Sequence, residues 1–365
     1  MSRRVIGRFA AALACAAIPL QAHAVSMSTV PVGNPGNAGQ LSGASVIGSP
    51  ADGASTPYAG FGPDGVVGGV NYNYRIGTYE VTNAQYVEFL NAKATTDSLG
   101  LYNAAMGSNA RGGIVQSGVS GSFAYTLKDN MGNKPVNFVG FFDSLRFINW
   151  LGNGQGAGNT ETGSYTLLGG TAAPSNATTV ARNAGAKWVL PTESEAYKAA
   201  YYDPRTAAQG GPAGDDHYWL YATKSDIEPT SATANAVGDI SNPGANVANW
   251  GNGADWNALD GNVTTVGSAG PLSASYYGTY DQAGSVYEWN ESLITGTNRG
   301  IRSGSFQEVS HRMRAYLRGA QPTTTEIQNL GFRVAFVPEP HAGLLAMLGA
   351  SLVGLVQRRF SKRNG

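Results

Sequence analysis

Residues 278–289 read GTYDQAGSVYEW, in which Asp281, Glu288, two glycines and three aromatic side chains crowd into twelve positions. A run so dense in carboxylate, glycine and ring is either a working centre or a firmly tied piece of scaffold. Which of the two it is depends on what surrounds it. Downstream lie IRSGSF (301–306) and LGFRVAF (330–336), with SHRMRA (310–315) between them. Upstream, everything from 204 to 277 is glycine-punctuated strand and loop with no helical period.

Three helices are expected before that. Thr82 with Gln85 forms a capping box ahead of Tyr86, Phe89 and Leu90, which predicts a helix over 83–92. Leu145, Ile148 and Leu151 share a face and predict a second over 141–151. It runs into GNGQGAGN (152–159), whose spaced glycines follow a helix where a dinucleotide loop follows a strand, so a flexible connection is expected. Thr192 and Glu195 form another box in front of Tyr197 and Ala200. Glu193 and Glu195, two apart on a helix, do not face each other, and read as capping and dipole compensation. VPVGNPGN (30–37) and YRIGTYEV (74–81) read as strands, the first with its turn. The pattern is α+β, irregular and strand-rich, over one body at 25–337.

The ends read differently. Residues 1–24 carry Arg3, Arg4 and Arg8, an apolar stretch and Ala22-His23-Ala24, the layout of an export signal, either general secretory or twin-arginine. At the far end (338–365), Pro338-Glu339-Pro340 precedes a fifteen-residue apolar run (342–356) and then Arg358, Arg359, Lys362 and Arg363. That run is short for about 30 Å of hydrocarbon. The basic cluster after it stays cytoplasmic, which puts the body outside. This order resembles the PEP-CTERM sorting signal of Gram-negative bacteria, which an exosortase reads and removes; the plain alternative is a short transmembrane anchor. The resemblance implies export across the inner membrane and a place at the cell surface or in the extracellular matrix, with membrane contact only through the tail.

Composition narrows the function. Setting aside the three arginines of the leader, and the four basic residues and one glutamate of the tail, reduces 24 basic and 24 acidic residues to 17 and 23. A mildly acidic body has no nucleic-acid footprint. Charged residues are 13% of the chain and glycines number 50, which suits turns and short strands. The one cysteine, Cys15, lies in the leader, so the exported body holds no thiol. Disulfides, thiolate metal sites and cysteine nucleophiles are excluded together.

In order, YEVTNAQYVEFL, KPVNFVGFFDSLRFINWL, KWVLPTESEAYKAA, GTYDQAGSVYEW, IRSGSF and LGFRVAF resemble the successive blocks of the formylglycine-generating enzyme (sulfatase-modifying factor) family. The resemblance implies an irregular C-type-lectin-like fold with loops held by calcium. It places one calcium on the Asp281 side chain, the Gly284 and Val286 carbonyls and the Glu288 carboxylate. A second would use the Asn249 side chain, the Trp250 carbonyl, Asp260 and the Asn262 carbonyl. Oxygen ligands of this kind suit a hard cation that takes six to eight of them. The alternative for 278–289 is a tight turn with Glu288 satisfied by backbone N–H groups.

The family's oxidase holds copper(I) on two cysteines five positions apart, and the gap-free alignment puts those positions at Ser310 and Ala315. Hydroxyl and methyl groups do not bind cuprous ion, so no copper and no formylglycine-generating activity are expected. His217 and His311 are too few for a three-histidine iron site; His217 reads as a loop residue and His311 as an exposed strand residue. Arg302, Arg312, Arg314, Arg318 and Arg333 gather near the family's substrate region. Arg318 and Arg333 read as structural. Arg312 and Arg314, at strand spacing with no obvious partner, are the candidate ligand contacts, suited to carboxylate or sulfate groups. The expected function is a surface-sorted, non-catalytic binding or matrix protein whose partners are an exosortase and a polysaccharide or another surface protein. The alternative is a cysteine-independent oxidoreductase or modifying enzyme.

Overall fold

The capping chemistry sets the helices. In the computed structural model, which describes residues 24–43, 61–214 and 216–338, Thr82 Oγ1 accepts from Gln85 N at 3.3 Å while Gln85 Oε1 accepts from Thr82 N at 2.9 Å, opening α1 (Asn83–Lys93). A short α2 (Ala105–Ser108), not foreseen from sequence, follows. The second expected helix is α3 (Phe141–Gly152), where Asp143 Oδ2 reaches back to Gly140 N at 2.8 Å. Thr192 and Glu195 exchange the same pair of bonds at 3.1 and 2.7 Å to open α4 (Glu193–Tyr201). Both capping boxes stand where the sequence put them.

Every α3 residue from Phe141 to Leu151 is buried, polar ones included, so this helix is the axis of the core. Phe147 stacks or edges against Tyr86, Phe89, Trp150 and Phe332 at centroid distances of 5.4–6.1 Å. Arg146 is tolerated there because Glu161 takes its Nε at 2.7 Å and the Thr171 and Ala172 carbonyls take the rest. The glycine-rich connection after α3 is not the loose linker expected. Gln155 clasps Val25 through both main-chain groups, at 2.6 and 2.8 Å, and Trp150 Nε1 bonds the Gly156 carbonyl.

Two four-stranded sheets flank this helix. The first runs in the order β1 (Thr29–Val32), β4 (Tyr74–Gly77), β14 (Ala335–Phe336), β7 (Trp188–Val189), all antiparallel. The second runs β12 (Gly319–Pro322), β11 (Asn298–Arg302), β10 (Tyr287–Thr295), β13 (Leu330–Phe332), with β10 and β13 parallel. Short pairs complete it: β2 (Gln40–Ser42) with β3 (Gly65–Val67), β5 (Ile114–Ser117) with β6 (Ala124–Leu127), and β8 (Thr230–Ser231) with β9 (Val247–Ala248). Strands this short carry little stability of their own; they hold because the core covers them. Among the described residues no helix is long and apolar enough to cross a membrane. Residues 1–23 of the expected 1–24 leader and the residues from 339 onward, with the sorting run, lie outside the described residues.

Candidate functional site

Between β11 and β12 the chain makes one excursion, 303–318, that carries the two expected copper positions, Ser310 and Ala315, and the two candidate ligand contacts, Arg312 and Arg314. Its base is pinned by charge. Arg302 Nη2 and Nε donate to Glu193 Oε1 at 2.5 and 3.0 Å, and Arg318 Nε donates to the same oxygen at 2.6 Å. All three side chains are buried, with 4–6% of each exposed. Arg302 also bonds the Ala315 and Leu317 carbonyls at 2.8 and 3.1 Å, and Arg318 the Pro63 carbonyl at 2.7 Å. Burial alone would raise the Glu193 pKa, but the two guanidiniums overrule it and hold the carboxyl below its ordinary value. Glu193 is therefore more than the helix-end charge expected of it. It ties the first turn of α4 to both ends of the excursion.

Within the excursion, 310–313 is a turn of 3₁₀ helix and not a strand. The strand-face argument that paired Arg312 with Arg314 fails for that reason. Arg314 is buried: its Nε donates to Tyr221 Oη at 2.9 Å and its Nη1 to Tyr316 Oη at 3.0 Å. Arg312 stays open, 44% exposed, with Glu308 at 3.9 Å. Of the two candidates it alone offers a guanidinium to solvent. His311 sits half-buried in the same turn, where burial and the Arg312 charge hold its pKa below the ordinary value.

The two positions five apart are equally committed. Ser310 Oγ donates to Glu228 Oε2 at 2.5 Å. Ala315 is 2% exposed, its N–H on the Leu220 carbonyl, packed among Tyr197, Tyr201, Tyr218 and Tyr221. Burial, and then the Glu228 charge, raise the Tyr221 phenol. Ile227 and Val309, 75% and 51% exposed, are outward neighbours in sequence of that Ser310–Glu228 contact. Sequence reasoning missed Glu228 and Tyr221, which lie 82 and 93 residues from their partners and leave no local pattern. His217 stands in a loop, its Nδ1 3.3 Å from the Arg205 carbonyl.

The opening stretch occupies a second, buried place. Glu288 faces Arg302 across the β10–β11 ladder and Gly331 across the β10–β13 ladder. Its carboxylate takes the Arg333 fork at 2.7 and 3.0 Å. Neither a turn of backbone N–H groups nor an open carboxylate describes it. Arg333 also bonds the Gly77 and Tyr280 carbonyls at 2.8 Å each, the structural part expected of it. Glu80 lies 3.7 Å from Arg333, 1% exposed, and neither of its carboxylate oxygens finds a hydrogen-bond partner. Burial, then the Asp281 charge, push Glu80 well above the usual carboxylate range, and burial pushes Asp281 up to about 6. Three carboxyls against one guanidinium leave this cluster short of positive charge.

Backbone geometry at 281–285 points the same way. Asp281 (φ 63°) and Ser285 (φ 62°) adopt the left-handed conformation that non-glycine residues rarely take, and Gly284 (φ 80°) lies between them. Gly284 has no substitute, because an added Cβ would stand 2.1 Å from the Asn249 carbonyl oxygen. Gly284 and Asn249 form a parallel bridge, so the two expected cation sets adjoin. Among the described residues no three His, Cys, Asp or Glu side chains surround a single point closely enough to hold a metal. A cation here needs main-chain carbonyls as well, and the first expected set includes two, from Gly284 and Val286. The orphaned Glu80 oxygens fit a missing positive charge beside Asp281 and Glu288. In the second set Asn249 Oδ1 is buried with no hydrogen-bond partner, an open acceptor of the kind a hard cation takes. The Asn249 amide donates to the Asn262 carbonyl at 2.9 Å, the Trp250 carbonyl accepts from Ser231 Oγ at 2.7 Å, and Asp260 is exposed with its carbonyl on Arg111.

A family model described as the sulfatase-modifying factor enzyme 1-like domain matches residues 69–337. Among solved structures the chain is similar to Treponema denticola variable protein 1 at 17% identity and a TM-score of 0.45, covering 86% of this chain and 96% of that one. It is similar to CarF at 17% identity and a TM-score of 0.48, covering 86% and 99%. PvdO from Pseudomonas aeruginosa matches at 16% identity and a TM-score of 0.44, covering 85% and 94%. No curated protein matches the chain.

Proposed function

Since the chain belongs to the sulfatase-modifying factor enzyme 1-like domain family, with the irregular α+β, C-type-lectin-like fold described above, we propose that it is an exported binding protein that keeps the family's scaffold without its copper chemistry. One observation carries this reading. At the two family cysteine positions, the Ser310 hydroxyl is bonded to Glu228 and Ala315 is sealed under a tyrosine cluster. Neither supplies the soft ligand a cuprous ion requires.

What the same excursion offers to solvent is Arg312, whose main-chain N–H bonds the carbonyl of the exposed apolar Val309; exposed Ile227 precedes Glu228, the partner of Ser310. A guanidinium beside apolar surface suits an acidic polysaccharide, whose carboxylate or sulfate takes the fork while the sugar ring covers the apolar atoms. The Arg302–Glu193–Arg318 lock holds that surface in place from beneath. Calcium belongs to the proposal as a structural cation on Asp281, Glu288 and the Gly284 and Val286 carbonyls. It would supply the positive charge that Glu80, Asp281 and Glu288 lack and would fix the 281–288 loop against β11. Export by residues 1–24 and exosortase sorting through 338–365 are part of the same proposal, resting on the sequence of those segments.

A second reading, an enzyme acting on another substrate at this face, draws on the Ser310–Glu228 contact, in which a carboxylate already holds a hydroxyl proton. Titration with alginate and with a sulfated polysaccharide separates the two. Binding that weakens with salt and falls severalfold in Arg312→Ala, at unchanged melting temperature, supports the binding protein. Equal binding by Arg312→Ala, or aerobic formation of an aldehyde from a cysteine peptide by the purified chain, overturns it.

A further inference from the structure

A groove of about 300 Å³ opens where the end of α3 meets β7 and β14. Trp188 and Phe336, cross-strand partners in that ladder, form its aromatic corner: both are half-buried, with ring centroids 5.1 Å apart and planes at 70°. The remaining lining is backbone and small side chains, among them Gly152, Asn153, Ser164 and Gly185. Gly185 has φ 77°, and a Cβ there would meet nothing within 4 Å; the Ala186 N–H donates to the Asn183 carbonyl and the Val337 N–H to the Lys187 carbonyl, so the turn faces open space at Gly185. Asn153 spends its amide nitrogen on the Asn159 and Thr162 carbonyls at 2.7 Å each, which fixes the orientation of the amide and leaves Oδ1 as an acceptor. Ser164 Oγ donates to the Trp188 carbonyl at 2.5 Å, holding the loop against the strand.

The chemistry of this lining is selective. It contains no carboxylate, histidine, cysteine or arginine, and Lys187 is its one ionisable side chain. That lining offers nothing for a metal, for acid-base catalysis or for a bidentate anion contact. A wholly apolar ligand would desolvate the amide oxygen and the exposed main-chain groups without replacing their hydrogen bonds. A ligand with one apolar C–H face and a ring of uncharged hydroxyls satisfies both sides of the groove. The volume is at the small end for ligand sites, on the scale of one or two sugar rings.

We propose that this groove is a subsite for a neutral pyranose, its C–H face against Trp188 and its hydroxyls on Asn153 and the main chain at Gly185. It goes beyond the reading given above, since no residue of the Arg312 face takes part. The test is saturation-transfer NMR on the full chain with methyl α-D-glucopyranoside, methyl β-D-galactopyranoside and N-acetyl-D-glucosamine as probes. Ring protons of at least one probe should receive saturation. Trp188→Ala should weaken that binding by about tenfold, the loss of one aromatic contact. Trp188 also packs against Phe336, so Ala184→Trp, an exposed position whose new ring fills the groove, serves as the second variant and should abolish the signal. Arg312→Ala should leave it intact. The proposal is overturned by the absence of saturation for all three probes, by a signal that survives Ala184→Trp, or by one that disappears in Arg312→Ala.

Discussion

Glu193→Gln is the most informative single change. The amide keeps the volume of the side chain and can keep an oxygen where Oε1 accepts from Arg302 and Arg318, so the substitution removes charge and little else. It leaves two guanidiniums, 4% and 6% exposed, facing no anion. Removing one partner of a buried ion pair costs about 3–5 kcal/mol, because the remaining charge has already been taken out of water. At roughly 2–4 °C per kcal/mol for a body of this size, the melting temperature should fall by about 6–20 °C. Thermal unfolding followed by circular dichroism between pH 3 and 8 reads both size and sign. Glu193 has a folded pKa depressed below its ordinary 4.5. Its contribution is therefore present above the unfolded pKa and lost as pH falls through the folded value. The gap between native chain and variant should be constant above about pH 5 and close at acid pH. A gap within about 1 kcal/mol at pH 7 would refute the reasoning, since it would mean that the carbonyls of Pro63, Ala315 and Leu317 and the Ser42 hydroxyl satisfy the arginines without the charge.

Three further outcomes are expected. A calcium chelator should lower the melting temperature by about 5–10 °C if the site is normally near 100-fold saturated, and Glu288→Gln should erase that difference; an identical melt with and without chelator rules out calcium at Asp281 and Glu288. Burial, then the Glu326 charge, push Asp143 up to about 7 from 3.8, against Arg146 and the Gly140 N–H and with Asp97 adding to the rise; its contribution is full below its unfolded pKa and lost as pH rises through about 7, so Asp143→Asn should flatten the stability profile between about pH 4 and 7. Thr192→Ala removes the acceptor for Glu195 N and should cost about 1 kcal/mol in urea unfolding, with loss within error marking the cap as redundant.

Local chemistry was legible and long-range chemistry was not. Both capping boxes, the α3 face and the β1 and β4 strands lie within a few residues of their own determinants, so pattern and propensity located them. Glu193 shows the limit: its capping neighbourhood is local, but its decisive partners are 109 and 125 residues away. Glu80 is similar. In YEVTNAQY it reads as one polar residue of a strand end, and its confinement with Asp281, Glu288 and Arg333 emerges only once three separate segments meet. The strand face shared by Arg312 and Arg314 was misjudged because spacing of two implies a strand, whereas Ser303 (φ 90°) and Gly304 (φ 67°) turn the chain out of the sheet before it reaches them. The short α2 and the β5–β6 hairpin carried no cap or turn signal strong enough to foresee.

The placement of β14 has a mechanical consequence. The strand that ends two residues before Pro338 lies inside its sheet, with Ala335 and Phe336 paired to Ile76 and Arg75 on one side and to Val189 and Trp188 on the other. Tension arriving from the tail is shared by two ladders at once, after the Val337 N–H contact to Lys187, while a pull on β1 at the rim meets one. Were the body tethered by its last residues, as proposed above, it would hang from the better-braced of these two strands, and load would pass straight into the core.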